Sequence, residues 1–103
     1  MLVSILMPVR DDVQTLPNCL ESIQKQSLRE WELVVVDDGS IDGSGELLLE
    51  AAKQDSRIRV LSEPPRGIVA ALNTGLAVCS GRYVARMDAD DRMLPLRLEK
   101  QLS

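Results

Sequence analysis

The sequence predicts an α/β domain whose parallel sheet is flanked by helices, and three observations carry that prediction. Short apolar runs rich in β-branched residues alternate with stretches whose apolar residues recur every three or four positions. Four strand candidates are thereby separated by helices in βαβαβαβ order, with one more helix at the end. Strands joined through helices run parallel, with right-handed crossovers that put helices on the faces of the sheet. The 103 residues, 45% of them hydrophobic, supply one core and leave no room for a second domain.

Val3 to Val9 reads as a buried first strand. The apolar opening is too short to span a bilayer, has no basic leader and stops at Pro8-Val9-Arg10-Asp11-Asp12, so it is expected to be neither anchor nor targeting signal. Leu16, Cys19, Leu20 and Ile23 recur at helical spacing, with Thr15 placed to cap the helix and Pro17 tolerated in its first turn. Trp31 to Val36 forms the second strand and is expected to stop at a polar turn, Asp37-Asp38-Gly39-Ser40. Leu47, Leu48, Ala51 and Ala52 mark the next helix, with Asp42 or Ser44 as its cap.

Ile58 to Leu61 is a short third strand, and Glu63-Pro64-Pro65-Arg66-Gly67 a rigid loop. Ile68, Ala71, Leu72, Gly75, Leu76 and Cys79 outline a third helical face ending at Ser80-Gly81, and its small residues imply close packing on the sheet. Arg82 to Met87 makes the fourth strand and runs into Asp88-Ala89-Asp90-Asp91. Pro95 can open a last helix bearing Leu98 and Leu102.

Composition narrows the chemistry. Twelve Lys and Arg against sixteen Asp and Glu leave a formal charge of −4, which disfavours a nucleic-acid partner held through its phosphates. With no His, no Phe, one Trp and one Tyr, the chain cannot build a Ser-His-Asp triad or a His-ligated zinc site and is starved of stacking platforms. Cys19 and Cys79 fall in apolar-periodic stretches and read as small core residues rather than a disulfide or redox pair. Chemistry rests on carboxylates, backbone and Arg.

Ligands of open parallel sheets bind beyond the carboxyl ends of the strands, where strand order reverses. Three of the four predicted strands end in acids: Asp11 and Asp12, Asp37 and Asp38, then Asp88, Asp90 and Asp91. Carboxylates gathered together repel and raise one another's pKa unless a cation or a hydrogen-bonding ligand joins them. An all-oxygen set favours Mg²⁺ or Mn²⁺, ions that commonly bridge one or two carboxylates to substrate phosphates. The segment Gly39 to Gly45 lacks both the Gly-Lys-Ser/Thr ending and the Gly-x-Gly-x-x-Gly spacing, so ATPase and dinucleotide readings lose their support. Arg66 could clamp a diphosphate, although an exposed loop position serves an arginine equally well.

Four ordered segments resemble a family 2 inverting glycosyltransferase of the GT-A fold: Val3 to Asp12, Glu32 to Ser40, Gly67 to Leu76, and Met87 to Asp91. The resemblance covers essentially the whole chain and implies a Rossmann-like half-domain binding a nucleotide-diphosphate sugar, foremost a UDP-sugar. It implies that Pro8, Val9 and Arg10 line the base, with Arg10 standing where the family often has an aromatic, and that Asp12 can touch ribose or base. Asp38 would accept from the ring N–H. Asp88-Ala89-Asp90 would be the Asp-x-Asp motif, Asp88 at ribose or metal and Asp90 on the Mn²⁺ or Mg²⁺.

The implied reaction is a hexosyl or related transfer to a saccharide or lipid-linked acceptor hydroxyl, in cell-envelope polysaccharide biosynthesis. Residues 1–103 would be the donor portion, and the catalytic base is expected C-terminal of Ser103, so the stretch by itself is expected to be inactive. The implied location is cytoplasmic, at the inner membrane face for a longer protein. Two other readings compete: a receiver-like phosphoacceptor domain, which also carries an acidic Mg²⁺ cluster, and a plain interaction module with solubilising acids. The receiver design needs a Lys at the end of its last strand, whereas Lys25, Lys53 and Lys100 all fall in helical stretches.

Overall fold

The structure, a computed structural model, describes residues 2–102, with side chains as far as residue 100, so of the two leucines expected on the last helix only the side chain of Leu98 is among those described. Four strands, β1 (Val3–Val9), β2 (Trp31–Asp38), β3 (Ile58–Glu63) and β4 (Tyr83–Arg86), alternate with α1 (Leu16–Gln24), α2 (Ser44–Gln54), α3 (Ile68–Val78) and α4 (Arg97–Leu102). The strands form one parallel sheet in the order β3-β2-β1-β4. The chain steps outward from β1 to β3, then crosses back through α3 to lay β4 on the far side of β1. Strand order therefore reverses between β1 and β4, and a crevice opens at their carboxyl ends.

Alternation along the strands sends Val3, Ile5, Met7 and Val9 of β1 to one face with Leu33 and Val35 of β2. Leu16, Cys19, Leu20 and Ile23 of α1, Leu48 of α2, and Met93 and Leu98 beyond β4 complete that core. Burying each large side chain contributes about 1.5–3 kcal/mol. The opposite face takes α3. A Cβ on Gly75 would stand 3.0 Å from Cγ2 of Val36 and clash harder with Leu6, so the absent side chain lets the helix lie directly on the sheet. Covering on both faces explains why β1 and β2 read as continuous apolar runs rather than alternating ones.

Several expectations change in the folded chain. Asp37 and Asp38 belong to β2, not to a turn beyond it, because the ladder with β3 continues through Asp37 opposite Ser62 and Asp38 opposite Glu63. On α3 only Ala71 and Gly75 are buried, while Ile68 and Leu76 are about half exposed, since close approach to the sheet leaves room only for the small residues. Thr15 does hold the N-cap position, with Pro17 behind it, yet its hydroxyl donates to the carbonyls of Asp12 and Ala89. Gly43, at φ +98, is the N-cap of α2, and Asp42 just before it accepts from the Ser44 N–H and hydroxyl. The fourth strand is shorter than expected, and α4 starts at Arg97, two residues past Pro95.

Buried polar groups fix the segment that follows β4. Ser22 Oγ accepts from Met93 N–H, and Gln26 accepts from Leu98 N–H while donating to the Leu94 carbonyl. At the amino-terminal ends of the two central strands, Glu32 accepts from Ser4 Oγ at 2.5 Å and from Ser80 N–H at 2.7 Å, tying β1, β2 and the α3–β4 loop together. Cys19 is buried in the core as expected, whereas Cys79, at the end of α3, is only partly buried and lies outside the core cluster; both thiols are free. No helix of the described residues is long and apolar enough to cross a membrane.

Candidate functional site

A cavity of about 440 Å³ opens at the carboxyl ends of β1, β2 and β4, against the first turn of α3. Pro8, Val9 and Arg10 reach it from β1, Asp12 from the following loop, Asp38 from β2, and Asp88, Ala89 and Asp90 from the turn after β4. The three acid-bearing strand ends, separated by up to 80 residues of chain, thus meet at the point where strand order reverses.

Each carboxylate is held by its own local device. Asp12 accepts from the Arg10 N–H and donates its own N–H to the Ser44 hydroxyl, closing the β1–α1 loop onto α2. Asp11 sits in the left-handed region at φ 55, where its N–H donates to Ser40 Oγ at 2.9 Å and its Oδ1 accepts from Ile41 N–H at 2.8 Å. Asp38, only 4% exposed, accepts from the N–H groups of Arg66 and Gly67, so the end of β2 anchors the start of α3. Each of its oxygens keeps another lone pair for a ligand. Asp37 takes a structural part instead, accepting from the Ser40 N–H.

The acid turn after β4 is closed by its own backbone, Asp91 N–H donating to the Asp88 carbonyl and Asp88 N–H to Asp91 Oδ2. Thr15 pins it from α1 through the Ala89 carbonyl. Asp88, Asp90 and Asp91 can each bring a carboxylate oxygen within 4.8 Å of the others, all solvent-facing. Such an oxygen-only set fits a hard divalent cation. Cys19 lies beneath this turn, its thiol pushed up to about 12 by burial and then by the charges of Asp91, Asp90 and Asp12, which suits packing rather than nucleophilic chemistry.

The structure brings together every expected site residue except Arg66. That residue contributes its backbone N–H to Asp38 while its guanidinium turns to Glu63 at 2.6 Å, outside the cavity lining. Gly67, Ile68, Ala71 and Arg86 line the cavity and were not anticipated as site residues. The strand period of two does point to Arg86, which lies two positions before Asp88 and contacts it. The α3 positions had no comparable signal: connectivity puts the N-terminus of each crossover helix at the carboxyl edge of the sheet, but only packing shows which of those helices borders the crevice.

The family model described as Glycosyl transferase family 2 matches residues 4–103. The chain belongs to that family. A UDP-Glc:alpha-D-GlcNAc-diphosphoundecaprenol beta-1,3-glucosyltransferase, WfgD of Escherichia coli, is 41% identical over 103 residues, 99% of this chain and 40% of the relative. TarS of S. aureus, solved in complex with UDP, superposes with a TM-score of 0.91 at 25% identity, covering 99% of this chain and 31% of that one. The mannosyltransferase PcManGT from Pyrobaculum calidifontis, solved with GDP-Man and Mn²⁺, gives 0.81 at 29% identity over 87% of this chain and 28% of that one. The chain spans well under half the length of these relatives.

The fold is accordingly that of the GT-A glycosyltransferases. The receiver reading fails on the same comparisons and on the site itself: two arginines, Arg10 and Arg86, supply the basic side chains of the cavity lining, and no Lys stands there.

Proposed function

We propose that residues 1–103 form the donor-binding portion of a family 2 glycosyltransferase, taking a nucleotide-diphosphate sugar, foremost a UDP-sugar, together with Mn²⁺ or Mg²⁺. One observation carries the reading: Asp38, Asp88 and Asp90, remote in sequence, line a single cavity at the switch point with Arg10 and Arg86. The UDP bound by TarS and the GDP-Man and Mn²⁺ bound by PcManGT support it.

In this reading Asp38, already fixed by two backbone N–H groups, accepts from a base N–H, with Pro8, Val9 and Arg10 beside the base and Asp12 near ribose or base. Asp88 serves ribose or metal and Asp90 the metal. A bound divalent cation supplies charge neutralisation for the departing nucleoside diphosphate. The sugar passes by single displacement, with inversion, to a hydroxyl of a saccharide or lipid-linked acceptor. The base that deprotonates this hydroxyl is assigned beyond Ser103, and a longer protein is placed in the cytoplasm at the inner membrane face.

Calorimetry with UDP in the presence of Mn²⁺ tests the proposal. Binding is expected to need the metal and to fall at least about tenfold in Asp90→Ala, the loss of one metal ligand. Unchanged UDP binding in that variant, or no binding by the parent chain, would overturn it. Incubation of the 103-residue chain with UDP-sugars and saccharide acceptors is expected to yield no transfer product.

A further inference from the structure

Arg86 links the two halves of the site chemistry. It leaves β4 on the same face as Asp88, and its Nη2 stands 3.4 Å from Asp88 Oδ1. The contact is long for a charge-assisted hydrogen bond, and both side chains are more than half exposed (53% and 56%), so the pair is readily broken. Asp88 is also one of the three carboxylates able to converge on a cation. A guanidinium and a divalent cation drawn to the same carboxylate repel each other, so the two compete for Asp88. The planar fork of an arginine matches paired phosphate oxygens, and Arg86 already faces the cavity.

Resting on the donor-site reading above, we propose that Arg86 exchanges partners: it holds Asp88 while that carboxylate carries no metal, and turns to the donor's diphosphate when Asp88 takes a divalent cation. Arg86 thereby makes metal and diphosphate binding mutually dependent. Metal alone must displace a cation from Asp88, whereas metal arriving with a diphosphate gives that cation a new partner.

Calorimetry on the chain and its Arg86→Gln variant separates the two roles, with Mn²⁺ alone, UDP in saturating Mn²⁺, and uridine in saturating Mn²⁺ as probes. The variant is expected to bind Mn²⁺ alone about threefold more tightly, the release of an exposed pair, and UDP about tenfold more weakly, the loss of a charge-assisted contact. Uridine affinity is expected to stay within about twofold, since the altered contact is to phosphate. The gain for Mn²⁺ should vanish when Asp88→Asn is the background. Damage to the fold would weaken every ligand, so tighter metal binding is a response that a structural role cannot produce. Unchanged or weaker Mn²⁺ binding in the variant, or equal losses for UDP and uridine, overturns the exchange while leaving the donor site standing. Failure of the parent chain to bind UDP with Mn²⁺ overturns the donor site and the exchange with it.

Discussion

Asp38 closes the end of β2 onto Gly67, its Oδ2 accepting the Gly67 N–H at 3.0 Å while Oδ1 accepts that of Arg66 at 2.8 Å. One carboxylate thus fixes the first turn of α3 beside the cavity that Asp38 itself lines. The loop can make this approach because Gly67 adopts φ +96, a conformation that residues with a Cβ rarely enter.

Gly67→Ala isolates that backbone requirement, because a Cβ there would meet no atom within 4 Å. The whole expected cost is therefore conformational strain, about 1–3 kcal/mol. Asp38→Ala is expected to cost about 2 kcal/mol by leaving two N–H donors unpaired. Urea unfolding of both variants checks these values, and a Gly67→Ala chain as stable as the parent would refute the strain account.

Asp11 offers a different test, because it holds a left-handed conformation with a Cβ present. Asparagine tolerates that region and keeps an Oδ1 acceptor for the Ile41 N–H, so Asp11→Asn is expected to fall within about 0.5 kcal/mol of the parent. Alanine has neither property and should cost about 1–2 kcal/mol. Thermal unfolding of the pair decides the matter; equal losses in the two variants would show that the hydrogen bond and the backbone preference are both idle.

Glu32 makes stability depend on pH. Burial raises its pKa, but hydrogen bonds from the Ser4 hydroxyl and from the Ser80 N–H and hydroxyl, with the charge of Arg59, outweigh that and bring it below the ordinary glutamate value. A depressed carboxylate contributes stability that is full above its unfolded pKa and is lost as pH falls through its folded pKa. Glu32→Gln is therefore expected to be less stable than the parent at pH 7, with the difference shrinking below about pH 4. Urea melts at pH 7 and pH 3.5 measure it, and a gap that stays constant would exclude Glu32 as the source.

Much of this molecule is written locally. The β-branched runs at Val3 to Val9 and Trp31 to Val36, the helical recurrence of Leu16, Cys19, Leu20 and Ile23, and the acids at the strand ends depend on spacing within a few residues, so sequence by itself determined the elements, most of the core and the family. What only the tertiary structure decided is who meets whom. The position of β4 beside β1, not beyond β3, places Asp88 and Asp90 across from Pro8 and Asp38. The ladder with β3 extends β2 through both of its terminal acids, after which Asp37 turns to Ser40 and Asp38 to α3. Two arginines that look alike in sequence divide in the same way, Arg66 going to Glu63 and Arg86 to the cavity. A side chain's direction follows from strand register and from partners tens of residues away, and backbone N–H groups, which every residue carries, leave no trace in sequence of which carboxylate they will find.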